Sequence, residues 1–269
     1  MFSKFILNGI LLDDFKEYER FGRDYYRRIK TDFQLKLEKI INNDMVIDGN
    51  KLQQHWFPED NQYDVFLSHS HDDEDLAISL AGFLIKRLDL NVFIDSCLWG
   101  DSNDLLRRID ENYCRHSNGI SFDYNKRNYS TSHVHMMLSI ALSKMLDNCE
   151  AIFFLKSEKS ISFDKEIEKK RTCSPWIYNE LSLADMIQIK PVDNYRKRTS
   201  YLKHGVYESI DESSTLQIEY DIGGPLKRFI SLSFKDLYQC AENWEKNDTH
   251  FQSALDYIYL SKDIIKKDR

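Results

Sequence analysis

The sequence contains little proline or glycine and no long apolar run. Four prolines and nine glycines in 269 residues are too few for long flexible linkers. A membrane-spanning helix needs about 18 consecutive apolar residues. The only early apolar stretch, 1–12, is interrupted by Asn8 and Gly9 and has no small-residue cleavage site. We therefore expect a cytoplasmic protein with no membrane partner.

Cysteine and net positive charge are also scarce. The five cysteines are odd in number, widely spaced and without a Cys-x-x-Cys pair, which predicts reduced thiols rather than a disulfide framework. A formal net charge of −7 argues against a nucleic-acid partner, since such proteins normally carry a basic face. Two short basic clusters, Arg23–Lys30 and Arg196–Arg198, are interpreted as solvated faces.

Several motifs of common enzymes are missing. The sequence has no Gly-x-Gly-x-x-Gly and no Walker-type loop, which argues against a dinucleotide-dependent dehydrogenase or a nucleotide triphosphatase. The Gly-x-Ser-x-Gly frame of hydrolases is missing as well. Two His-x-His pairs, His69/His71 and His133/His135, lack the closely spaced Cys or carboxylate partners of a zinc site. We expect neither a metal nor a resident cofactor.

Short apolar strands alternate with amphipathic helices along the chain. The patterns predict strands at 63–67, 91–94, 151–155 and 216–222, helices at 11–45, 72–87, 104–113, 132–146, 174–189 and 232–262, and a long loop at 115–132. Alternation of this kind indicates an α/β fold with a parallel sheet covered by helices on both faces. We divide the chain into a helical N-terminal extension (1–60), a central domain (61–190) and a C-terminal strand and helix (191–269).

Polar residues follow the predicted strands. Ligands bind beyond the carboxyl ends of strands in open parallel sheets. Three groups of residues are expected there: Ser68-His69-Ser70, Asp95 and Lys156-Ser157-Glu158. The sequence therefore places a candidate site at this edge of the sheet.

The best local signal is the helix start at Ser174-Pro175. Ser174 suits the N-cap and Pro175 the first helical position. Trp176 and Glu180 are four residues apart and share a face, which we place at the edge of a buried stripe formed by Ile177, Leu181, Ala184 and Ile187. The pair fits either a ligand contact at the rim of a cleft or an edge tryptophan beside a solvated glutamate, and spacing alone favours the second interpretation.

Four elements in order resemble TIR (Toll/interleukin-receptor) domains. They are Asp64-Val65-Phe66-Leu67-Ser68-His69-Ser70, Val92-Phe93-Ile94-Asp95, the strand at 151–155 and Trp176-x-x-x-Glu180-Leu181. The match covers 62–190, with an unusually long stretch between the second and third strands. The resemblance implies a flavodoxin-like fold, NAD⁺ as substrate, Glu180 as the catalytic residue and a set of substrate-binding residues: Ser68, His69, Ser70, Asp95, Trp99 and Trp176.

Many bacterial TIR proteins hydrolyse or cyclise NAD⁺, several of them in anti-phage systems such as Thoeris. The resemblance therefore implies an NAD⁺ glycohydrolase or cyclase whose ADP-ribose-derived product signals to a downstream effector, with self-association through TIR surfaces. The flanking helices 11–45 and 232–262 either assist assembly or only pack on the core. Two alternatives stay open: a TIR module that acts by interaction alone, and a nucleoside-processing transferase of related architecture.

Overall fold

A computed structural model describes residues 1–28, 63–95, 105–116, 118–158, 160–164, 169–196, 220–246 and 251–266. Its strands are β1 (Ser3–Leu7), β2 (Val65–Ser68), β3 (Val92–Ile94), β4 (Ala151–Leu155), β5 (Ser162–Asp164), β6 (Lys169–Thr172), β7 (Tyr220–Asp221) and β8 (Ile230–Leu232). Five of them form a parallel sheet in the order β3-β2-β4-β1-β8. A smaller antiparallel sheet has the order β5-β6-β7.

Helices connect and cover these strands. They are α1 (Glu74–Leu88), α2 (Tyr124–Asn148), α3 (Pro175–Met186), α4 (Gly223–Leu226), α5 (Phe234–Glu245) and α6 (Leu255–Ser261). Short 3₁₀ turns occupy Leu12–Tyr18, His71–Asp73 and Val192–Asn194, and a π-helical turn occupies Asp110–Cys114. Residues 19–28 and 105–109 are also helical. Nowhere in these ranges is a helix both long and apolar enough to cross a bilayer.

The central sheet is buried on both faces. Side chains alternate along each strand, so that in β2 Val65 and Leu67 join one apolar cluster while Phe66 joins the other. The first cluster packs against α1, α5 and α6, and the second packs against α2 and α3. The predicted α/β fold, flavodoxin-like with helices on both faces and helical additions, is confirmed.

The N-terminal segment contributes a strand as well as a helix. β1, which falls within the stretch we predicted to be a helical extension, lies between β4 and β8, with Ser3 opposite Ala151 and Leu7 opposite Leu155. All five of its residues are buried, including Lys4. Lys4 interrupts the apolar run by which a buried strand is predicted from sequence. The partner strand β4 is also distant in the chain.

Other predicted elements differ mainly in their ends. Helix α2 begins at Tyr124, capped by Asp123, which accepts from the Lys126 backbone N–H at 3.0 Å, so the predicted loop 115–132 is shorter than expected. The predicted helix 232–262 begins as β8 and continues as the separate helices α5 and α6. The predicted helix 11–45 is present over 12–28, and its remainder, like 216–219 of the predicted strand, lies outside the described residues.

Two glycines allow the N-terminal helix to approach α1 closely. A β-carbon at Gly22 would lie 2.1 Å from the Ile78 carbonyl oxygen, and one at Gly82 would lie 2.5 Å from the Tyr18 carbonyl oxygen. Both distances are far below van der Waals contact, and backbone atoms cannot yield as side-chain tips do. Gly22 lowers helix propensity in isolation, but here it permits packing that a larger residue would prevent.

A buried ion-pair network closes the amino edge of the sheet. Arg196 donates to both carboxylate oxygens of Glu150 at 2.6 and 2.7 Å and to those of Asp256 at 2.6 and 3.1 Å. The Tyr259 hydroxyl donates to Glu150 at 2.8 Å, and the Glu150 carbonyl accepts from the Phe2 backbone N–H at 2.6 Å. The interpretation of Arg196 as part of a solvated face is therefore wrong, since two buried carboxylates hold it inside.

We expect Arg196→Met to destabilise the protein strongly. Removing one partner of a buried ion pair leaves uncompensated charge, at a cost of about 3–5 kcal/mol. Urea unfolding measures this loss. Arg27→Met is the matched control, because the Arg27–Asp24 pair is 3.6 Å long and both side chains are at least half exposed, and it should change stability by less than about 1 kcal/mol. Equal losses in the two variants would contradict the assignment.

A second titratable group, Asp64, joins three strands at the same edge. Its carboxylate accepts from the Asn91 backbone N–H at 2.8 Å, and its carbonyl accepts from the Ala151 N–H at 2.9 Å. Burial raises the pKa of Asp64 to about 6, although the hydrogen bond from Asn91 opposes this shift, and the Glu150 carboxylate adds to it. The folded chain therefore binds a proton here more tightly than the unfolded chain does.

The raised pKa of Asp64 predicts that its contribution to stability falls as pH rises. The contribution is complete below the unfolded pKa near 4 and is lost as pH passes through the folded value of about 6. Asp64→Asn keeps an acceptor for Asn91 and removes the titration. Relative to wild type it should gain up to about 3 kcal/mol between about pH 4 and about pH 7.5 in urea unfolding. A difference independent of pH would refute this assignment.

Candidate functional site

The strand order places a crevice at the carboxyl end of β2. From β2 the chain moves to β3 on one side and then to β4 on the other, so the connections diverge between β2 and β4. In open parallel sheets this switch point is where ligands bind. Ser68, the last residue of β2, pairs with Phe154 of β4 at this position.

Helix α3 brings Glu180 to this crevice. The helix begins as predicted, with the Ser174 hydroxyl accepting from the Ile177 backbone N–H at 3.2 Å and Pro175 at the first helical position. Ile177, Leu181 and Ala184 are buried on the face that packs on the sheet. Because the start of the helix and its sheet-facing side are fixed in this way, the position of Glu180 relative to the sheet is fixed as well.

Glu180 is buried rather than placed at a rim. Its side chain is fully covered, and the Ser68 hydroxyl donates to its Oε2 atom at 2.5 Å. At about 100° per residue, position 180 lies between Ala184 and Ile187 on the helical wheel, within the apolar stripe. The prediction that Glu180 lies beside the stripe is wrong for this reason. The carboxylate is oriented by a strand-end hydroxyl on the sheet below it.

Trp176 lies one turn before Glu180 and contacts a histidine. Its ring stacks on His135 of α2, with centroids 5.3 Å apart and planes inclined by 15°. Burial lowers the pKa of His135, which keeps the imidazole neutral near pH 7. Trp176 is partly buried against the cluster beneath α3. One aromatic face is thus occupied, and a role in stacking on substrate stays a prediction.

His69 and Asp95 form a second buried pair at the same edge. His69 Nδ1 contacts Asp95 Oδ1 without the alignment of a good hydrogen bond, and the two groups form an ion pair when the ring is protonated. The His69 backbone N–H donates to Asp95 Oδ2 at 3.3 Å. Burial lowers the pKa of His69, but the Asp95 carboxylate, with smaller contributions from Glu74 and Asp73, outweighs burial and the pKa is raised. The structure therefore places two pairs from the predicted set at one edge of the sheet, Ser68 with Glu180 and His69 with Asp95.

The remaining predicted residues are less informative. Ser70 precedes the 3₁₀ turn His71–Asp73, and its carbonyl accepts from the Asp73 backbone N–H at 2.8 Å. Trp99 lies outside the described residues. Across the described ranges, no group of three or more His, Cys, Asp or Glu side chains is arranged to hold a metal ion. Four of the five cysteines are described, and all are free thiols: Cys114, Cys149, Cys173 and Cys240.

One contact at this edge was missed from the sequence. The Ser157 hydroxyl, beyond β4, donates to Asp73 at the start of α1, and the Ser157 backbone N–H donates to the Ser160 hydroxyl at 2.8 Å. The Ser-x-x-Ser spacing is a signal for such a turn. The contact ties the end of β4 to α1 and borders the crevice beside Ser68.

Comparisons with known proteins give no relative. The chain matches no known protein family, and neither a characterised protein nor a solved structure matches it. The geometry of the site and the resemblance of the motifs are therefore the basis for a function.

We expect Ser68→Ala to reduce stability, because Glu180 loses a charge-assisted hydrogen bond in a buried setting. Such a loss costs about 1–3 kcal/mol. Ser70→Ala is the control, since the Ser70 side chain makes no capping hydrogen bond and its removal should cost less than about 0.5 kcal/mol. Thermal and urea unfolding of both variants would compare them, and a Ser68→Ala variant as stable as wild type would count against the contact.

Proposed function

We propose that the chain is a TIR-type enzyme that cleaves the nicotinamide–ribose bond of NAD⁺, with Glu180 as the catalytic carboxylate. The observation that carries the proposal is the placement of Glu180: a buried carboxylate, oriented by Ser68, at the switch point of the sheet. The ordered motif resemblance supports it, because the catalytic glutamate of TIR enzymes corresponds to this position.

The chemistry suits a single fixed carboxylate. Breaking the bond releases neutral nicotinamide, so the leaving group needs no proton. The ribose develops the positive charge of an oxocarbenium ion in the transition state, as in glycoside hydrolysis. A carboxylate held near that charge in a water-poor site stabilises it, by about 3–4 kcal/mol when preorganised. The Ser68 hydrogen bond fixes one oxygen of Glu180 before substrate binds.

Substrate contact requires a change at the site. Glu180 has no exposed surface, so the side chains above it must move aside for a ribose to reach the carboxylate. We assign the surrounding contacts to Ser68, His69, Ser70, Asp95, Trp99 and Trp176, which together offer hydroxyl, imidazole, carboxylate and aromatic groups. NAD⁺ is a substrate in this scheme and not a resident cofactor.

The wider role follows from the same resemblance. We place the reaction in the cytoplasm, where NAD⁺ is available, and in anti-phage defence of the Thoeris type. The product is an ADP-ribose-derived signal for a downstream effector, and TIR surfaces mediate self-association. The free thiols of the described cysteines are compatible with a reducing compartment.

A second function is favoured by the burial of Glu180. A carboxylate covered by side chains and bonded to Ser68 ties α3 to β2 and needs no substrate to explain it. In that case the chain is a TIR module that works by interaction alone. A nucleoside-processing transferase would use the same carboxylate, and inhibition by nucleosides but not by NAD⁺ would identify it.

We expect Glu180→Gln to abolish nicotinamide release while the chain stays folded. Gln retains the size and an acceptor for Ser68 and removes the charge that stabilises the oxocarbenium ion. The rate should fall by at least about 100-fold, measured by chromatography of nicotinamide at several protein concentrations. Glu158→Gln is the control, because Glu158 is an exposed carboxylate just beyond β4 at the same edge. Its rate should equal that of wild type.

Three results would count against the proposal. Nicotinamide release by Glu180→Gln at the wild-type rate would remove the catalytic role. Equal losses in Glu180→Gln and Glu158→Gln would point to a general effect of charge at this edge. Absence of release by wild type at every concentration would favour the interaction module.

A further inference from the structure

The edge of the sheet at which Glu180 lies also carries a histidine–carboxylate pair that bond cleavage itself does not use. His69 follows β2, and Asp95 follows β3, the neighbouring strand. Asp95 contacts the ring through Oδ1 and the His69 backbone N–H through Oδ2. Both side chains are almost completely buried, at 0% and 3% exposure. The imidazole is therefore held in place by a carboxylate from an adjacent strand.

The second ring nitrogen is the unusual feature. Both ring nitrogens of His69 are buried without a well-aligned hydrogen bond within the described part of the chain, but Nδ1 lies against Asp95 whereas Nε2 has no such contact there. Buried polar atoms normally have a partner, because burial without one costs free energy. With the ring proton on Nδ1, facing Asp95, neutral imidazole has its lone pair on Nε2. That nitrogen is then an acceptor for a proton from a bound O–H group.

The surrounding charges favour proton uptake over anion binding. Three carboxylates act on His69: Asp95 on the turn after β3, and Asp73 and Glu74 at the start of α1. Asp73 accepts from Ser157, and Glu74 accepts from the Tyr26 hydroxyl. Negative groups repel the diphosphate of a nucleotide and stabilise an imidazolium once it has formed. The ring is better suited to act as a base than as a phosphate ligand.

We propose that His69 is the general base of the reaction and that the acceptor is an oxygen nucleophile, either water or an alcohol. The inference rests on the proposed NAD⁺ cleavage. The bond from ribose C1 to the nicotinamide nitrogen breaks, and its electron pair leaves with neutral nicotinamide. A new C1–O bond forms, and the proton of the attacking O–H passes to His69 Nε2. The imidazolium is neutralised by Asp95 and later releases the proton to solvent.

This assignment narrows the possible products. Water gives ADP-ribose, and a hydroxyl group gives an O-glycoside. An adenine ring nitrogen attacks through its own lone pair and loses no O–H proton, so it has no use for a base at this position. The His69–Asp95 pair therefore favours hydrolysis or O-glycosyl transfer over cyclisation through adenine.

His69→Gln tests the base directly, with His71→Gln as the control, because His71 is exposed two residues further on. We expect nicotinamide release by His69→Gln to fall about 100-fold and to lose the decline at acidic pH that protonation of the base causes in wild type. 3-Acetylpyridine is a neutral nitrogen nucleophile with no proton to lose. It should restore release in His69→Gln and yield the dinucleotide with 3-acetylpyridine in place of nicotinamide, while His71→Gln behaves as wild type.

The outcomes distinguish a failure of the His69 assignment from a failure of the proposed NAD⁺ cleavage. Wild type that releases no nicotinamide overturns both. If wild type is active, two results overturn the base alone. One is that His69→Gln keeps the wild-type rate and pH profile. The other is that folded His69→Gln is inactive and 3-acetylpyridine does not restore nicotinamide release. If the variant does not fold, the wild-type product decides: a new C1–O bond supports the assignment, and a bond from C1 to an adenine nitrogen overturns it.

Discussion

The hydrogen bond from Ser68 to Glu180 joins the two elements on which the candidate site depends. Ser68 is the last residue of β2, which lies between β3 and β4 in the sheet. Glu180 lies on the side of α3 that faces the sheet. A carboxylate is costly to bury unless hydrogen bonds compensate it. The contact satisfies part of that requirement and orients the charge, so the same bond serves packing and the proposed chemistry.

The two edges of the sheet use buried charge differently. At the amino edge, Arg196 makes four hydrogen bonds to Glu150 and Asp256, an arrangement that fixes the N-terminal strand and the C-terminal helix in place. At the carboxyl edge, Glu180 accepts from a neutral hydroxyl, and His69 keeps a buried nitrogen without a described partner. Densely bonded networks stabilise a fold, whereas a buried ring nitrogen without a partner at a strand end, as in His69, is typical of functional sites.

Sequence patterns predicted correctly those features of the fold that depend on residues close together in the chain. The unbroken apolar runs of β2, β3 and β4 follow from burial on both faces, and Ser174-Pro175 predicted the start of α3 correctly. The fold class and the positions of Ser68, His69 and Asp95 at strand ends could therefore be predicted, while the roles of these residues stay a prediction. β1 could not, because its pairing with β4 is distant in sequence and Lys4 interrupts its apolar pattern. Burial of Arg196 also depends on partners far along the chain.

The predicted placement of Glu180 at the edge of the apolar stripe failed for a narrower reason. Treating a glutamate as solvated is sound for most helices, yet position 180 lies inside the apolar stripe, where the Ser68 hydroxyl helps to compensate its burial. Contacts between distant residues also bear on the division of the chain into three segments. The central sheet takes strands from each of them: 1–60, 61–190 and 191–269. Segments that appear separate by composition thus build one sheet around the site.

The central claim is that Glu180 contacts the ribose of NAD⁺ at the carboxyl edge of β2. A crystal structure of the chain with an NAD⁺ analogue whose nicotinamide–ribose bond cannot be cleaved tests it most directly. We predict that the analogue lies over β2 and β3, with the ribose hydroxyls bonded to the Glu180 carboxylate. An analogue bound elsewhere, or a Glu180 still covered and bonded only within the protein, would contradict the account.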